Sequence, residues 1–153
     1  MEFFDLIRSG NLEEIQKRIE VDSSLVSKKD DKGFPPLIMA CYVDQFDVAK
    51  FLIDKGANIN EPDFAGNTAL MGVCFKGNTE IATLLIDNES DLNAKNSQGS
   101  TALIYAATFG KAEIVSLLLN NGADKTIKDE NGKTAKEHAE FKGFDEITTL
   151  LNS

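Results

Sequence analysis

The sequence predicts an all-α repeat protein, a solenoid of about five stacked helix pairs connected by short hairpin-like turns. Three features recur every 33 residues and together identify an internal repeat. The first is a glycine in a polar turn, at Gly33, Gly66, Gly99 and Gly132. The second is a glycine or aspartate, at Asp44, Gly77, Gly110 and Gly143. The third is an apolar segment, at residues 51–53, 84–86, 117–119 and 150–151.

Each unit contains the same elements in the same order. A polar turn such as 96–99 is followed by small apolar residues, as in 101–107, which predict a first helix. The second glycine ends this helix, because glycine adopts the left-handed conformation at little cost. A second helix with apolar residues at helical spacing follows, for example 114–118, and Gly122-Ala123 ends it. One helix pair cannot bury both of its faces, so the units must stack.

The repeat divides the chain into five units within a single domain. The expected boundaries are approximately 1–29, 30–62, 63–95, 96–128 and 129–153. The first and last units are expected to be caps. In the last unit, Lys136 and Glu140 stand where earlier units carry apolar residues, which predicts an outer face in contact with water.

The pattern resembles the ankyrin repeat over essentially the whole chain. Residues 67–70, 100–103 and 35–37 match the start of the first helix, and 56–60 and 122–124 match the end of the second. The histidine of the family motif is absent, and Ile38, Met71, Ile104 and Glu137 stand in its place. Asp44 replaces the glycine that closes a helix, and Glu89-Ser90 replaces Gly-Ala. We expect both replacements to be local weak points of the stack.

Composition and charge limit the function. The chain has 153 residues and a formal net charge of −9, so nucleic acid and anionic membranes are not expected as main partners. The first five residues carry acid where a signal peptide carries base, and no apolar stretch approaches the length of a membrane span. A monomeric cytoplasmic protein is expected.

The sequence predicts no catalytic residue, no cofactor and no metal site. His138 is the single histidine, which excludes motifs with paired histidines, and we interpret it as an exposed structural residue. Cys41 and Cys74 occupy the same position of adjacent units, where stacked helices lie about 8–10 Å apart, too far for a disulfide. Buried free thiols are the favoured interpretation, and a redox or metal role is the alternative.

Two asparagines carry a possible modification that only the resemblance implies. Asn60 and Asn93 stand at positions that are hydroxylated in some members of the family. The favoured alternative is that their side chains hold the turns by hydrogen bonds.

A partner surface is expected on the concave side, where ankyrin proteins grip partners with turn tips and first helices. The predicted partner-binding residues are Tyr42, Phe75, Phe109, Phe141, Phe34, Phe64, Lys76 and Asn67. Exposed aromatic side chains are frequent interface anchors. The alternative is that these rings lean sideways and pack between units.

These features predict a non-catalytic module that binds a protein partner on an aromatic and acidic concave face. The acidic surface would steer a basic partner. One alternative role is an inhibitor of the immunity type that neutralises a basic toxin or nuclease. Another is a regulatory adaptor or a stabiliser of another enzyme.

Overall fold

The computed structural model describes residues 1–152, which form ten α-helices and one short 3-10 helix, with no β-strand in that range. The helices come in five consecutive pairs, as the sequence predicts for an all-α solenoid. They are α1 (Phe3–Ser9) and α2 (Leu12–Val21), α3 (Pro36–Tyr42) and α4 (Phe46–Asp54), α5 (Ala69–Lys76) and α6 (Thr79–Asp87), α7 (Ala102–Thr108) and α8 (Ala112–Asn120), and α9 (Ala135–Lys142) and α10 (Asp145–Asn152). The 3-10 helix, Ser23–Ser27, follows α2.

The helices stack in two rows. The odd-numbered helices pack on one another in chain order and form the inner row, and the even-numbered helices form the outer row in the same way. The longest helix has ten residues, and none in the described part of the chain has the length and apolar character needed to cross a bilayer. The turns that carry the first glycines precede α3, α5, α7 and α9.

Threonine side chains begin three of the inner helices. The backbone N–H of Met71 donates to Thr68 Oγ1 (3.4 Å), and the equivalent bonds link Ile104 to Thr101 (3.3 Å) and Glu137 to Thr134 (3.3 Å). Each such cap stabilises a helix by about 1 kcal/mol. These caps set the same starting point, and therefore the same rotation, for α5, α7 and α9.

The core between the rows repeats with the sequence. Two positions of every outer helix are buried, and they lie four residues apart and so on the same helix face. The first holds Ile15, Val48, Ile81, Ile114 and Ile147, and the second holds Ile19, Leu52, Leu85, Leu118 and Leu151. This continuous apolar row joins the units into one stack.

Neighbouring turns approach each other closely. Gly66 has a φ of 80°, and a Cβ atom there would lie 3.0 Å from the Cα of Asn96, so both backbone conformation and space require glycine. Backbone bonds join successive turn tips, from Ser97 N to Ala65 O (3.0 Å) and from Glu130 N to Gln98 O (2.9 Å). The equivalent amide, that of Phe64, donates no such bond within residues 1–152.

Two non-glycine residues adopt the left-handed conformation where the repeat has glycine. Asp44 has a φ of 60°, and its carboxylate accepts bonds from Asn78 Nδ2 (3.0 Å) and Lys76 Nζ (3.2 Å) of the next unit. Glu89 has a φ of 68°, and its side chain makes no hydrogen bond or ion pair within the described chain. The adjacent Ser90 Oγ is buried without a partner there. Residues 89–90 therefore lack the support that Asp44 has.

The cysteines are both buried and free, as predicted. Burial, with a smaller contribution from the charge of Asp44, raises the pKa of Cys41 to about 12, and burial raises the pKa of Cys74 as well. Both thiols are therefore protonated at neutral pH and poor nucleophiles. No group of three or more metal-binding side chains that could hold a metal ion occurs among residues 1–152.

The asparagines Asn60 and Asn93 connect adjacent units. Asn60 Oδ1 accepts from the backbone N–H of Asp91 (2.8 Å), and Asn93 Oδ1 accepts from that of Asp124 (2.9 Å). These bonds agree with the interpretation that the two side chains hold the turns.

Candidate functional site

A groove of about 650 Å³ runs across the turns and inner helices of the second, third and fourth units. Six aromatic side chains border it: Phe34, Tyr42, Phe64, Phe75, Tyr105 and Phe109. Apolar side chains of α3 and α5, including Ile38, Met39 and Met71, complete much of the lining. The groove is therefore a largely apolar surface open to solvent.

The rings make contacts across two unit boundaries and one contact within a unit. Phe75 and Phe109 meet edge to face with ring centroids 4.7 Å apart, and Tyr105 stacks on Phe109 at 6.0 Å. Phe34 and Phe64 meet edge to face at 5.9 Å. Much ring surface nevertheless remains open, because Tyr42 is 56% exposed, Phe75 is 47% exposed and Phe64 is 78% exposed. Rings of neighbouring units thus pack on one another and still expose apolar surface to solvent.

Six of the eight side chains that the sequence analysis selected line this groove, and two do not. The six are Phe34, Tyr42, Phe64, Asn67, Phe75 and Phe109. Phe141 lies outside the groove lining, on α9, and is 89% exposed. Lys76 is also outside the lining. Its ammonium group already has intramolecular partners, because Nζ donates to Tyr42 O (2.7 Å) and pairs with Asp44.

Tyr105 is the aromatic residue of the groove that the sequence analysis missed. Its hydroxyl oxygen accepts from Asn96 Nδ2 (2.9 Å) and the hydroxyl donates to Asn67 Oδ1 (3.5 Å). Asn67 Oδ1 also accepts from Asn96 Nδ2 (2.8 Å), so these three side chains form one network at the groove edge. The sequence feature that could have pointed to Tyr105 is its position in the repeat. It is the fourth residue of an inner helix, as are Met39, Gly72 and His138.

The groove lining contains only two charged side chains. The sequence predicts acid around the aromatic residues, whereas the lining holds one acidic side chain, Asp63, and one basic side chain, Arg8. Arg8 Nη1 pairs with Asp5 Oδ1 at 3.1 Å. Asp63 Oδ1 accepts from the backbone N–H groups of Ala65 (2.9 Å) and Asn67 (3.0 Å). The other oxygen, Oδ2, accepts no hydrogen bond from residues 1–152.

His138 is not the exposed residue that the sequence analysis expected. Its side chain is 26% exposed, and its Nε2 lies 2.7 Å from Asp129 Oδ2. Burial raises the pKa of the Asp129 carboxyl, but the hydrogen bonds from His138 and from the amides of Lys133 and Asn131 outweigh it, and the pKa lies below its usual value. The pair closes the last turn onto α9.

Comparisons with known proteins point to one family. A family model described as "Ankyrin repeats (3 copies)" matches residues 61–129, and one described as "Ankyrin repeat" matches residues 32–64. The chain is 36% identical over 50 residues to an "Acyl-CoA-binding domain-containing protein 6 homolog" from Dictyostelium discoideum, covering 33% of this chain and 17% of that protein. It is 34% identical over 62 residues to "26S proteasome non-ATPase regulatory subunit 10" from Mus musculus, covering 40% of this chain and 27% of that protein. The chain thus matches less than a third of the length of either relative.

Proposed function

Since the chain belongs to the ankyrin-repeat family, whose repeats are protein–protein interaction modules and generally non-enzymatic, we propose that it holds a protein partner in the aromatic groove and catalyses no reaction. The observation that carries this proposal is the set of six rings around one groove of about 650 Å³. Exposed apolar surface of this kind is costly in a monomer, and aromatic side chains commonly anchor interfaces. The bound segment would cover the open parts of Tyr42, Phe64 and Phe75.

The charge of the whole chain supports a basic partner. With a net charge of −9, the protein attracts cations at a distance and repels nucleic acid and anionic membranes. We therefore propose that the partner is a basic protein, bound to a monomer of this chain in the cytoplasm. The free, buried thiols Cys41 and Cys74 are compatible with a reducing compartment.

Two roles for the complex are distinguishable. A regulatory adaptor or stabiliser is favoured by the similarity to a protein named as a regulatory subunit of a proteasome, which covers 40% of this chain. An inhibitor of the immunity type, which neutralises a basic toxin or nuclease, is favoured by the net charge of −9. The partner's own activity, measured with and without this chain, separates them: an inhibitor abolishes that activity, and an adaptor leaves or increases it.

The test of the groove begins with affinity capture by the full chain from its native cell and identification of the bound protein. Phe75→Ala should then weaken binding of that protein by about 2 kcal/mol or more, because it removes a large apolar contact from the groove. Phe141→Ala is the matched control. It removes an exposed ring of the same kind outside the groove and should leave the affinity unchanged.

The stability of the same variants completes the test. Because Phe75 is half exposed and packs on Phe109, Phe75→Ala should lower the free energy of unfolding by about 1 kcal/mol, well below the about 3–5 kcal/mol of a core phenylalanine. Urea unfolding measures it. A core-sized loss of stability together with unchanged affinity per folded molecule contradicts the groove as the binding site.

A further inference from the structure

In two units, a side chain of the turn is bonded to the inner helix that follows it. In the fourth unit, Asn96 of the turn donates to the hydroxyl oxygen of Tyr105 (2.9 Å). In the fifth unit, Asp129 of the turn accepts from His138 Nε2 (2.7 Å). Both helix residues are the fourth of their helix and stand nine positions after the turn residue. We call the position of Tyr105 and His138 the fourth helix position.

The third unit has the turn residue and lacks the helix side chain. Its turn residue is Asp63, and its fourth helix position is Gly72, within α5. A Cβ atom built on Gly72 would meet no atom within 4 Å, so the space that a side chain would fill is open. Glycine inside a helix is disfavoured relative to alanine. Helix formation therefore does not explain why glycine, rather than a residue with a side chain, occupies position 72.

The gap and the carboxylate belong to the groove. Asp63 and Gly72 both line it, and Asp63 Oδ2 has neither a hydrogen bond nor an ion pair among residues 1–152. Asp30 of the second unit has the same local bonds, from the N–H groups of Lys32 (3.0 Å) and Phe34 (2.9 Å), but it does not line the groove. Asp63 thus differs from its repeat equivalent in facing an open apolar cavity.

We propose, on the basis of the function assigned to the groove above, that an arginine side chain of the protein partner fills the space over Gly72 and pairs with Asp63. The guanidinium would supply to Asp63 the donor that His138 supplies to Asp129 in the fifth unit. Its planar array of N–H groups matches a carboxylate, and its face stacks on aromatic rings such as those that border this groove.

The charges around the groove favour this occupant over others. The groove's own cation, Arg8, is already paired with Asp5, and the nearby Lys76 is paired with Asp44, so Asp63 is the charged lining residue that has no ion pair. An uncharged apolar side chain in the same space would remove water from the carboxylate without replacing its hydrogen bonds. A lysine ammonium is a more strongly hydrated point charge and lacks the planar face.

The test is an NMR titration of the full ¹⁵N-labelled chain with the peptide acetyl-Ala-Arg-Ala-amide. The expected result is saturable shifts of the Gly72 amide and its groove neighbours. The same peptide with citrulline or lysine in place of arginine should bind at least about fivefold more weakly, because neither supplies both the charge and the planar donors. Equal binding of the citrulline or lysine peptide overturns the assignment of a guanidinium.

Two variants locate the peptide. Asp63→Asn keeps the turn, because Asn96 makes the same bonds in the next unit, to the N–H groups of Gln98 (2.9 Å) and Ser100 (3.0 Å). It should weaken arginine-peptide binding at least about fivefold, whereas the matched control Asp30→Asn should leave it unchanged. Gly72→Tyr, which copies Tyr105, should fill the space and abolish the shifts while the chain stays folded. Unchanged binding by Asp63→Asn or by Gly72→Tyr overturns the proposal.

The arginine site and the proposed function of the groove can fail independently of each other. If Phe75→Ala releases the captured partner but the arginine peptide causes no shift at Gly72, the groove binds a protein and the arginine assignment is wrong. If the peptide binds as expected and Phe75→Ala leaves the captured partner bound, that partner uses another surface, and the arginine site does not serve it.

Discussion

At the scale of single residues, the two left-handed positions without glycine differ in what surrounds them. Glu89, at a φ of 68°, has no side-chain partner in the described chain, so Glu89→Gly should raise the free energy of unfolding by about 1 kcal/mol. Asp44→Gly relieves the same strain but loses the bonds to Lys76 and Asn78, which are worth about 0.5–1 kcal/mol at an exposed site. Its net effect should therefore be close to zero. Urea unfolding of both variants measures the difference.

Equal stabilisation by the two substitutions would mean that the Asp44 bonds contribute nothing in solution.

The left-handed conformation at Asp44 could be predicted from the sequence, because the repeat places glycine there in three other units. The compensating bonds could not. They depend on how the next unit is stacked, and the 33-residue register contains no information about the direction in which Lys76 and Asn78 extend.

At the scale of the element, α9 is connected to its turn by a titratable pair. The pKa of Asp129 is lowered on folding, so its charged form stabilises the fold above the usual aspartate pKa, and this contribution disappears as the pH falls through the lower folded value. Asp129→Asn removes the titration. The stability advantage of the wild type over Asp129→Asn should thus be constant near pH 5 and shrink below about pH 4. Thermal unfolding at several pH values down to about pH 2 measures it.

A difference that persists unchanged to the lowest pH would show that the carboxylate charge does not stabilise this turn. Helices such as α5 could be predicted, because they begin and end at residues that recur in the repeat, here Thr68 and Gly77. The groove could be predicted only in part. Phe141 shares its repeat position with Tyr42 and Phe75, but the fourth helix position of its unit holds His138, whereas that of α5 is Gly72. A search for similar residues at one position does not detect a missing side chain at another.

At the scale of the whole molecule, the charge of −9 acts over distances longer than any contact. Raising the salt concentration from about 0.01 M to about 1 M shortens the screening length from about 30 Å to about 3 Å. The association rate with the captured basic partner should then fall at least about tenfold, while the dissociation rate changes little. Surface plasmon resonance measures both rates. A salt effect confined to dissociation would place the attraction in the contact itself and remove the case for steering.

The unpaired amide of Phe64 has a consequence for how the stack moves. The turn tips of the third, fourth and fifth units are joined by backbone bonds, whereas the second and third are joined at their tips by the ring contact of Phe34 with Phe64. Ring contacts slide more easily than backbone bonds, and the Asn60 bond to Asp91 still holds the same two units behind the tips. The two tips are therefore more weakly joined than the parts of the units behind them. Phe34 and Phe64 both line the groove, so a separation of these two tips would widen the groove while the helices stay stacked.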